Sequence, residues 1–219
     1  MWLPQAGQTR IGALTFSGHT GIAPAPHDGP RWITYGSSIT QCRAAAGPSE
    51  TWPALVARRH GWRLTCLGFG GECHLDPVVA RTIRDAPADL ISLCLGINVY
   101  ELGTMGPRVF ASAVSGFIET VRDGHPATPI AVITPIASPD RERRRNLVGM
   151  TLDAVRADVV AAVDTLAGLG DPALRLIDGR ELLGEHEANL LHDGLHPSAA
   201  GYRTIAGRIG PQLAGIAAR

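Results

Sequence analysis

Residues 89–96 read DLISLCLG, an almost unbroken apolar run that decides the fold. A strand with apolar side chains on both faces is typical of a parallel sheet covered by helices on each side. Four other β-rich runs are separated from it by longer helical stretches, and together they predict a five-stranded sheet. These runs are 31–36 (RWITYG), 63–68 (RLTCLG), 129–134 and 174–178.

The stretches between these runs carry helical patterns. Residues 49–60 form one helix, and apolar residues recur at helical spacing between positions 109 and 121. Residues 141–169 are one long helical stretch, and a closing helix over 198–217 is broken by its glycines and Pro211. The strand–helix alternation predicts an α/β fold with three layers, α/β/α, around a parallel flavodoxin-like sheet.

Composition narrows the possible functions. The chain has 219 residues and 45% hydrophobic content, which is enough for one well-packed core. Twenty basic residues balance twenty acidic ones, so no net charge draws the chain to nucleic acid or to a membrane surface. All twenty basic residues are arginines. The absence of lysine excludes Schiff-base chemistry, a Walker-type phosphate loop and a Ser–Lys dyad.

Cysteine usage and the first residues indicate the compartment. Cys66 and Cys94 lie inside predicted strands, where we expect them to be small buried hydrophobes, and the four cysteines fit no zinc spacing. The start, MWLPQAG, has neither the basic nor the apolar region of a signal peptide. No apolar run approaches the roughly 20 residues of a membrane helix. We therefore expect free thiols and a cytoplasmic protein, provided that residue 1 is the natural start.

The segments that follow the predicted strands are the candidates for a functional site. In open α/β sheets, ligands bind at the carboxyl ends of the strands, near the point where the strand order reverses. A further polar segment directly precedes the closing helix. The segments are 36–40 (GSSIT), 68–72 (GFGGE), 96–98 (GIN) and 193–197 (DGLHP).

These segments contain the groups needed for acyl transfer. Ser38 can supply a nucleophilic hydroxyl, His196 the general base, and Asp193 the carboxylate that orients the imidazole. The backbone N–H groups of Ser38 and Gly71 and the side-chain amide of Asn98 can stabilise an oxyanion. Each residue also has a structural alternative: Ser38 as a helix N-cap, Asn98 in a left-handed turn, and Asp193 in an Asx-turn.

The same four segments resemble the motif blocks of the SGNH (GDSL-type) serine hydrolase superfamily, in order over roughly residues 31–210. The first block is usually Gly-Asp-Ser, and here it reads Gly36-Ser37-Ser38-Ile39-Thr40. The second-block glycine falls on Gly71, the third-block asparagine on Asn98, and the last block on Asp193 and His196. The resemblance implies the SGNH hydrolase fold, esterase or acyltransferase activity, and the site roles given above.

Two positions depart from the family pattern. Ser37 replaces the usual aspartate, so two adjacent serines are candidate nucleophiles, and the register of the motif favours Ser38. Val99 follows Asn98 where the family usually has an aspartate, so a local hydrogen bond of that aspartate is in doubt.

The Gly-Ser-Ser-Ile-Thr branch, which this chain resembles best, includes carbohydrate esterases and acyltransferases of natural-product pathways. Some members carry an additional N-terminal β-sandwich. Residues 1–29, with TRIGALTF ahead of a proline-rich segment, are interpreted as an N-terminal extension holding a remnant strand of such a module. Residues 30–219 are then the catalytic domain.

Three side chains beside the motif loops are candidates for lining the substrate pocket: Phe69, His74 and Tyr100. Ordinary packing is the alternative for each of them. Two clusters of potential metal ligands, within 72–76 and 192–196, lack a well-spaced third partner. We therefore expect no metal and no cofactor.

Hydrolysis of a small-molecule or carbohydrate ester through an acyl-Ser38 intermediate is the leading functional hypothesis. The alternative is an acyltransferase that passes the acyl group to an alcohol or amine acceptor in a biosynthetic pathway. The basic run 141–145 (RERRR) is either a docking patch for an acyl-donor carrier or the solvated start of a helix. A binding module with a dead site is disfavoured because no triad or oxyanion residue is missing.

Overall fold

The computed structural model describes residues 2–5, 7–18, 21, 23 and 28–218. They form a five-stranded sheet with the order β2-β1-β3-β4-β5, in which every neighbouring pair is parallel. This confirms the predicted sheet. The chain steps outward from β1 to β2 and then returns past β1 to β3, so the strand order reverses beside β1. The strands are β1 (Arg31–Gly36), β2 (Arg63–Gly68), β3 (Leu90–Cys94), β4 (Ile130–Ile133) and β5 (Leu174–Ile177).

Helices cover both faces of this sheet, as the alternating pattern predicts. Short 3₁₀ turns at Pro48–Glu50 and Glu185–Leu190 accompany them. The α-helices are α1 (Ser38–Gln41), α2 (Trp52–His60), α3 (Pro77–Asp85), α4 (Ile97–Leu102), α5 (Phe110–Arg122), α6 (Pro139–Glu142), α7 (Leu152–Gly168), α8 (Gly179–Leu182) and α9 (Ala199–Ala217).

Strand β1 shows how alternate side chains build two cores. Ile33 and Tyr35 lie in the cluster that α3, α5 and α7 cover, whereas Trp32 lies in the cluster that α2 and α9 cover. On the Trp32 face, the indole N–H donates to Ser92 Oγ at 3.0 Å, and the Ser92 hydroxyl donates to Thr34 Oγ1 at 2.8 Å. The buried polar groups of the central strands are thus paired, as burial requires.

Strand β2 is less buried than the central strands of the sheet. It is the edge strand next to β1, and Cys66 is exposed there rather than buried. Cys94 on β3 is partly buried, and all four cysteines are free, as expected. The prediction for Cys66 is wrong because the apolar character of a strand does not fix its place in the sheet.

The predicted single helix over 141–169 is also wrong. Helix α6 ends at Glu142 and α7 begins only at Leu152. Between them, the Asn146 side chain accepts hydrogen bonds from two backbone N–H groups farther along the loop, at 3.1 and 2.9 Å. Thr151 then caps α7 by accepting from the Ala154 N–H at 3.1 Å. These side-chain bonds give the backbone a non-helical alternative.

The closing helix was predicted to be broken, and this prediction is also wrong. Helix α9 is continuous over Ala199–Ala217, through Pro211 and its glycines. It begins after Ser198, whose side chain accepts from the Gly201 N–H at 3.3 Å. Pro197 therefore precedes the cap, and it pairs with Leu191 in an isolated antiparallel bridge. This bridge fixes the chain just before α9.

Residues 9–16, the expected remnant strand, are exposed and belong to no strand. Positions 1, 6, 19–20, 22 and 24–27 of the N-terminal extension lie outside the described residues. The extension meets the α/β body where the Gln5 side chain donates to the Cys42 carbonyl at 3.3 Å. Within the described part of the chain, none of the helices combines the length and apolarity needed to cross a membrane.

Candidate active site

The four segments singled out in the sequence meet at the carboxyl edge of the sheet, around a cleft of about 790 Å³. The loops after β1, β2 and β3 form one side, and the segment before α9 forms the other. The residues that line the cleft are Ser38, Gln41, Arg43, Ala44, Gly70, Gly71, Ile97, Asn98, Glu101, Leu102, His192, Asp193, Leu195, His196 and Tyr202.

The two adjacent serines have different surroundings. The Ser37 hydroxyl accepts from the Ile39 N–H at 3.2 Å and caps α1, and only 2% of Ser37 is exposed. Ser38 is the first residue of α1, and its side chain is directed at His196. Gly36 makes this abrupt turn from strand to helix possible, because a Cβ there would lie 2.2 Å from Thr40 Oγ1.

A chain of short hydrogen bonds joins Ser38, His196 and Asp193. Ser38 Oγ lies 2.8 Å from His196 Nε2, and His196 Nδ1 lies 2.8 Å from Asp193 Oδ2. The other carboxylate oxygen, Oδ1, accepts from the backbone N–H groups of Leu195 and His196 at 3.0 and 2.7 Å. Asp193 therefore closes an Asx-turn and orients the imidazole at the same time, so the two readings of its sequence position are compatible.

These hydrogen bonds also control the charge of Asp193. Partial burial raises the pKa of its carboxyl, but the bonds from the backbone and ring of His196 and from the Leu195 N–H outweigh it and lower the pKa to about 2. The carboxylate is thus ionised at neutral pH. An ionised partner at Nδ1 holds the proton on that nitrogen and leaves Nε2 free to accept from the Ser38 hydroxyl.

Three candidate oxyanion donors belong to residues that line the cleft together with His196, namely Ser38, Gly71 and Asn98. Asn98 lies in the first turn of α4, and its Oδ1 accepts from the Cys73 N–H at 3.1 Å, which leaves the amide NH₂ for the cleft. Gly71 has φ +80, a conformation that a larger residue would adopt only with strain. Within the described part of the chain, the backbone N–H groups of Ser38 and Gly71 have no acceptor. Val99, at the unusual third-block position, is fully buried in the core.

The three side chains expected in the substrate pocket are not among the residues that line this cleft. Phe69 packs edge-on against Tyr35, with ring centroids 6.1 Å apart. His74 spans Gly71 O at 2.9 Å and Thr104 Oγ1 at 3.1 Å. Tyr100 is buried, and its hydroxyl donates to a backbone carbonyl. The substrate contacts predicted for these residues have no geometric support, whereas His74 supports the loop that carries Gly71.

Several residues of the cleft wall are not among those predicted from the sequence. Gln41 and Glu101 follow Ser38 and Asn98 by one helical turn, a spacing that places each pair on one side of its helix. From that spacing, the positions of Gln41 and Glu101 in the cleft wall could have been predicted. Arg43, His192 and Tyr202 reach the cleft through the path of the loops and through α9, and their sequence context shows no pattern that predicts this.

In the described part of the chain, no three His, Cys, Asp or Glu side chains are grouped to hold a metal ion. The chemistry that the cleft can perform with its own groups is proton transfer between a hydroxyl and an imidazole, beside donors suited to a developing negative charge.

Comparison with known families agrees with this geometry. Residues 34–204 match the GDSL-like lipase/acylhydrolase family, and the match includes all four segments around the cleft. The chain belongs to this family. Among curated protein sequences, none matches the chain.

Solved structures include similar proteins. The salicylyl-acyltransferase SsfX3 from a tetracycline biosynthetic pathway is 35% identical, with a TM-score of 0.78 over 86% of this chain and 55% of that one. A protein described as a GDSL-like lipase from Bacteroides ovatus ATCC 8483 is 25% identical, with a TM-score of 0.73 over 85% and 53%. A family two carbohydrate esterase from Clostridium thermocellum shares the fold at 17% identity, with a TM-score of 0.68 over 89% and 66%. The chain thus spans about half the length of the first two proteins.

Proposed function

We propose that this chain hydrolyses a carboxylic ester, with Ser38 as nucleophile, His196 as general base and Asp193 as the residue that orients His196. The observation that carries the proposal is the unbroken hydrogen-bond chain from Ser38 Oγ to His196 Nε2 at 2.8 Å and from Nδ1 to the Asp193 carboxylate at 2.8 Å. This is the geometry that an activated serine requires.

The proposed reaction has two halves. Ser38 Oγ attacks the ester carbonyl carbon while His196 Nε2 takes the hydroxyl proton, and the tetrahedral oxyanion accepts from the donors at Ser38, Gly71 and Asn98. The C–O bond to the leaving alcohol then breaks as His196 returns the proton to that oxygen. In the second half, His196 takes a proton from water, the hydroxide attacks the acyl carbon, and Ser38 leaves with the proton.

The cleft suits an ester of a small molecule or carbohydrate. Its volume of about 790 Å³ lies within the range of small-molecule sites. Gln41, Arg43 and His192 give its wall polar groups, and Leu102 and Leu195 give it apolar surface. Such a mixed wall fits a substrate with both an acyl group and hydrogen-bonding groups. We place this activity in residues 30–219, with 1–29 as an extension.

The second candidate function is transfer of the acyl group to an alcohol or amine. It is favoured by the 35% identity to a salicylyl-acyltransferase. The same acyl-enzyme would form, and an acceptor would replace water in the second half-reaction. Delivery of the acyl group by a carrier stays a prediction, with Arg143, Arg144 and Arg145 exposed for docking and Arg141 turned inward.

Hydrolysis of a p-nitrophenyl ester series, acetate to octanoate, tests the proposal. Ser38→Ala is expected to abolish turnover without unfolding the protein, because it removes only the attacking oxygen. Ser37→Ala is the matched control: it removes a helix cap, which costs about 0.5–2 kcal/mol of stability, but it is expected to keep turnover. Activity that survives Ser38→Ala and disappears in Ser37→Ala would show that Ser37, and not Ser38, is the nucleophile.

Added alcohols separate the two functions in the same assay. A hydrolase releases free acid at an unchanged rate when alcohol is added, whereas a transferase diverts the acyl group to a new ester. Quantifying acid and ester by mass spectrometry gives the partition directly. Release of acid alone at high alcohol concentration would contradict the transferase.

A further inference from the structure

A cluster of polar side chains beside the cleft joins two of its walls. Arg141 Nε donates to Glu101 Oε1 at 2.6 Å, and another guanidinium nitrogen contacts the Gly194 carbonyl at 3.3 Å and Ser138 Oγ at 3.2 Å. The Ser138 hydroxyl itself donates to the Gly194 carbonyl at 2.6 Å. We call these three side chains, Arg141, Glu101 and Ser138, together with the Gly194 carbonyl, the Arg141 clamp.

The clamp connects the two groups of residues on which the proposed reaction depends. Glu101 lies three residues after Asn98 on α4, and both line the cleft. Gly194 follows Asp193 directly and lies two residues before His196. One guanidinium therefore contacts both the helix of the proposed oxyanion amide and the turn of the proposed base.

The clamp itself is fixed to the protein core. The Ser138 N–H donates to Glu142 Oε1 at 2.8 Å. Arg156 of α7 pairs with both oxygens of that carboxylate, at 2.6 and 2.7 Å, and its Nε donates to the Pro135 carbonyl at 2.9 Å. The buried ion pair between Glu142 and Arg156 therefore fixes the segment that carries Arg141 and opposes a displacement of the clamp.

We propose that Arg141 is a positioning residue, which sets the separation between the Asn98 amide and the His196 imidazole across the cleft. This inference rests on the proposed function. An arginine suits the task because its planar guanidinium holds several donors in a fixed geometry and bonds a carboxylate and a carbonyl at once. The Arg141 side chain is only 15% exposed, and Glu101 is 26% exposed, so solvent competes weakly for these bonds.

Steady-state kinetics of Arg141→Gln on the best p-nitrophenyl ester test the proposal, with Arg81→Gln as the control. Arg81 is exposed on α3 and is not among the residues that line the cleft. Misplacement of catalytic groups by about 1 Å costs on the order of 10²-fold, so we expect kcat to fall about 30- to 100-fold in Arg141→Gln with KM within about threefold. The control is expected to match the wild type. Arg141→Lys keeps the charge but not the planar donor geometry and is expected to recover little activity.

A second readout is the rate at which a fluorophosphonate labels Ser38, which depends on the same geometry and needs no substrate binding. We expect it to fall in parallel with kcat. Suppose that the wild type turns over and is labelled. If Arg141→Gln then equals Arg81→Gln in both readouts, or if Arg141→Lys restores full activity, the positioning role is wrong and the proposed function stands. If the folded wild type neither turns over nor is labelled, the proposed function fails and the clamp with it.

Ser138→Ala keeps the test decisive if Arg141→Gln does not fold. It removes the hydrogen bond from Ser138 to the Gly194 carbonyl and the 3.2 Å hydrogen bond from Arg141 to Ser138, and it leaves the Arg141–Glu101 pair intact. A single hydrogen bond of this kind corresponds to about a two- to tenfold effect, so we expect kcat to fall by at least about twofold. An unchanged kcat with a lowered melting temperature would make the cluster purely structural.

Discussion

Asp193 uses its two carboxylate oxygens for different tasks. Oδ1 accepts from the backbone at Leu195 and His196 and shapes the turn, whereas Oδ2 faces the His196 ring. Because the two tasks involve different atoms, a substitution can remove one and keep the other. At the residue scale, this separates the structural reading of Asp193 from the catalytic one.

The substitution Asp193→Asn changes the contact with the His196 ring and keeps the contacts with the backbone. The asparagine oxygen can still accept from the two backbone N–H groups, so the turn and the melting temperature should be preserved. Its NH₂ then faces Nδ1, which favours the tautomer with the proton on Nε2, and that nitrogen can no longer accept from Ser38. We expect kcat to fall by on the order of 10⁴, as in the serine-protease template. A loss below about tenfold with an intact turn would show that Asp193 does not orient the base.

At the scale of elements, a buried ion pair joins α6 to α7. Arg156 is 3% exposed, and its guanidinium forms a two-pronged pair with Glu142 and also bonds two backbone carbonyls. Such a pair adds modest net stability when complete, but removal of one partner leaves an uncompensated buried charge. The same guanidinium also lies 3.8 Å from Asp153, whose side chain is 69% exposed.

These two acidic partners of one arginine provide a matched pair of variants. Glu142→Gln is expected to lower the free energy of unfolding by about 3–5 kcal/mol, because Arg156 then lacks its buried counter-charge. Asp153→Asn is expected to change it by less than about 0.5 kcal/mol, because exposed pairs contribute little. Urea denaturation measures both. Equal effects of the two substitutions would contradict the importance of the buried pair.

At the scale of the whole molecule, several surface carboxylates are held ionised by hydrogen bonds formed only in the folded state. The side chain and backbone N–H of Arg31 lower the pKa of Asp89 to about 2, and Arg208 and the Gly184 N–H do the same for Glu187. Asp193 behaves similarly. In the unfolded chain such groups titrate near 4.

The difference between the folded-state and unfolded-state pKa values of these carboxyls determines how stability changes with pH. Because the unfolded chain binds protons more readily than the folded one, the stabilisation is complete above about pH 5 and decreases as the pH falls toward 2. We expect the urea midpoint to be constant between pH 6 and 8 and to decrease below about pH 5. Asp89→Asn should make this decrease shallower. A urea midpoint that rises on acidification would contradict the lowered pKa values of these carboxyls in the folded protein.

The features that the sequence predicted are those that depend on local pattern. The five strands were recognisable from short apolar runs, and residues 36–40 and 193–197 from polar residues at the ends of secondary structure elements. The exposed edge at Cys66 depends on the strand order, and the inward turn of Arg141 depends on a partner 40 residues away, so neither leaves a periodic signal in the sequence. The loop that interrupts 141–169 depends on side chains that bond the backbone of their own loop, which hydrophobic periodicity does not reveal.

Covalent labelling distinguishes Ser38 from Ser37 as the nucleophile of the proposed reaction. A fluorophosphonate should form one adduct per chain, located by peptide mass spectrometry on Ser38, absent in Ser38→Ala and much slower in His196→Ala. Ser37→Ala should still be labelled. An adduct on Ser37, or no adduct on the folded wild type, would show that Ser38 is not the nucleophile.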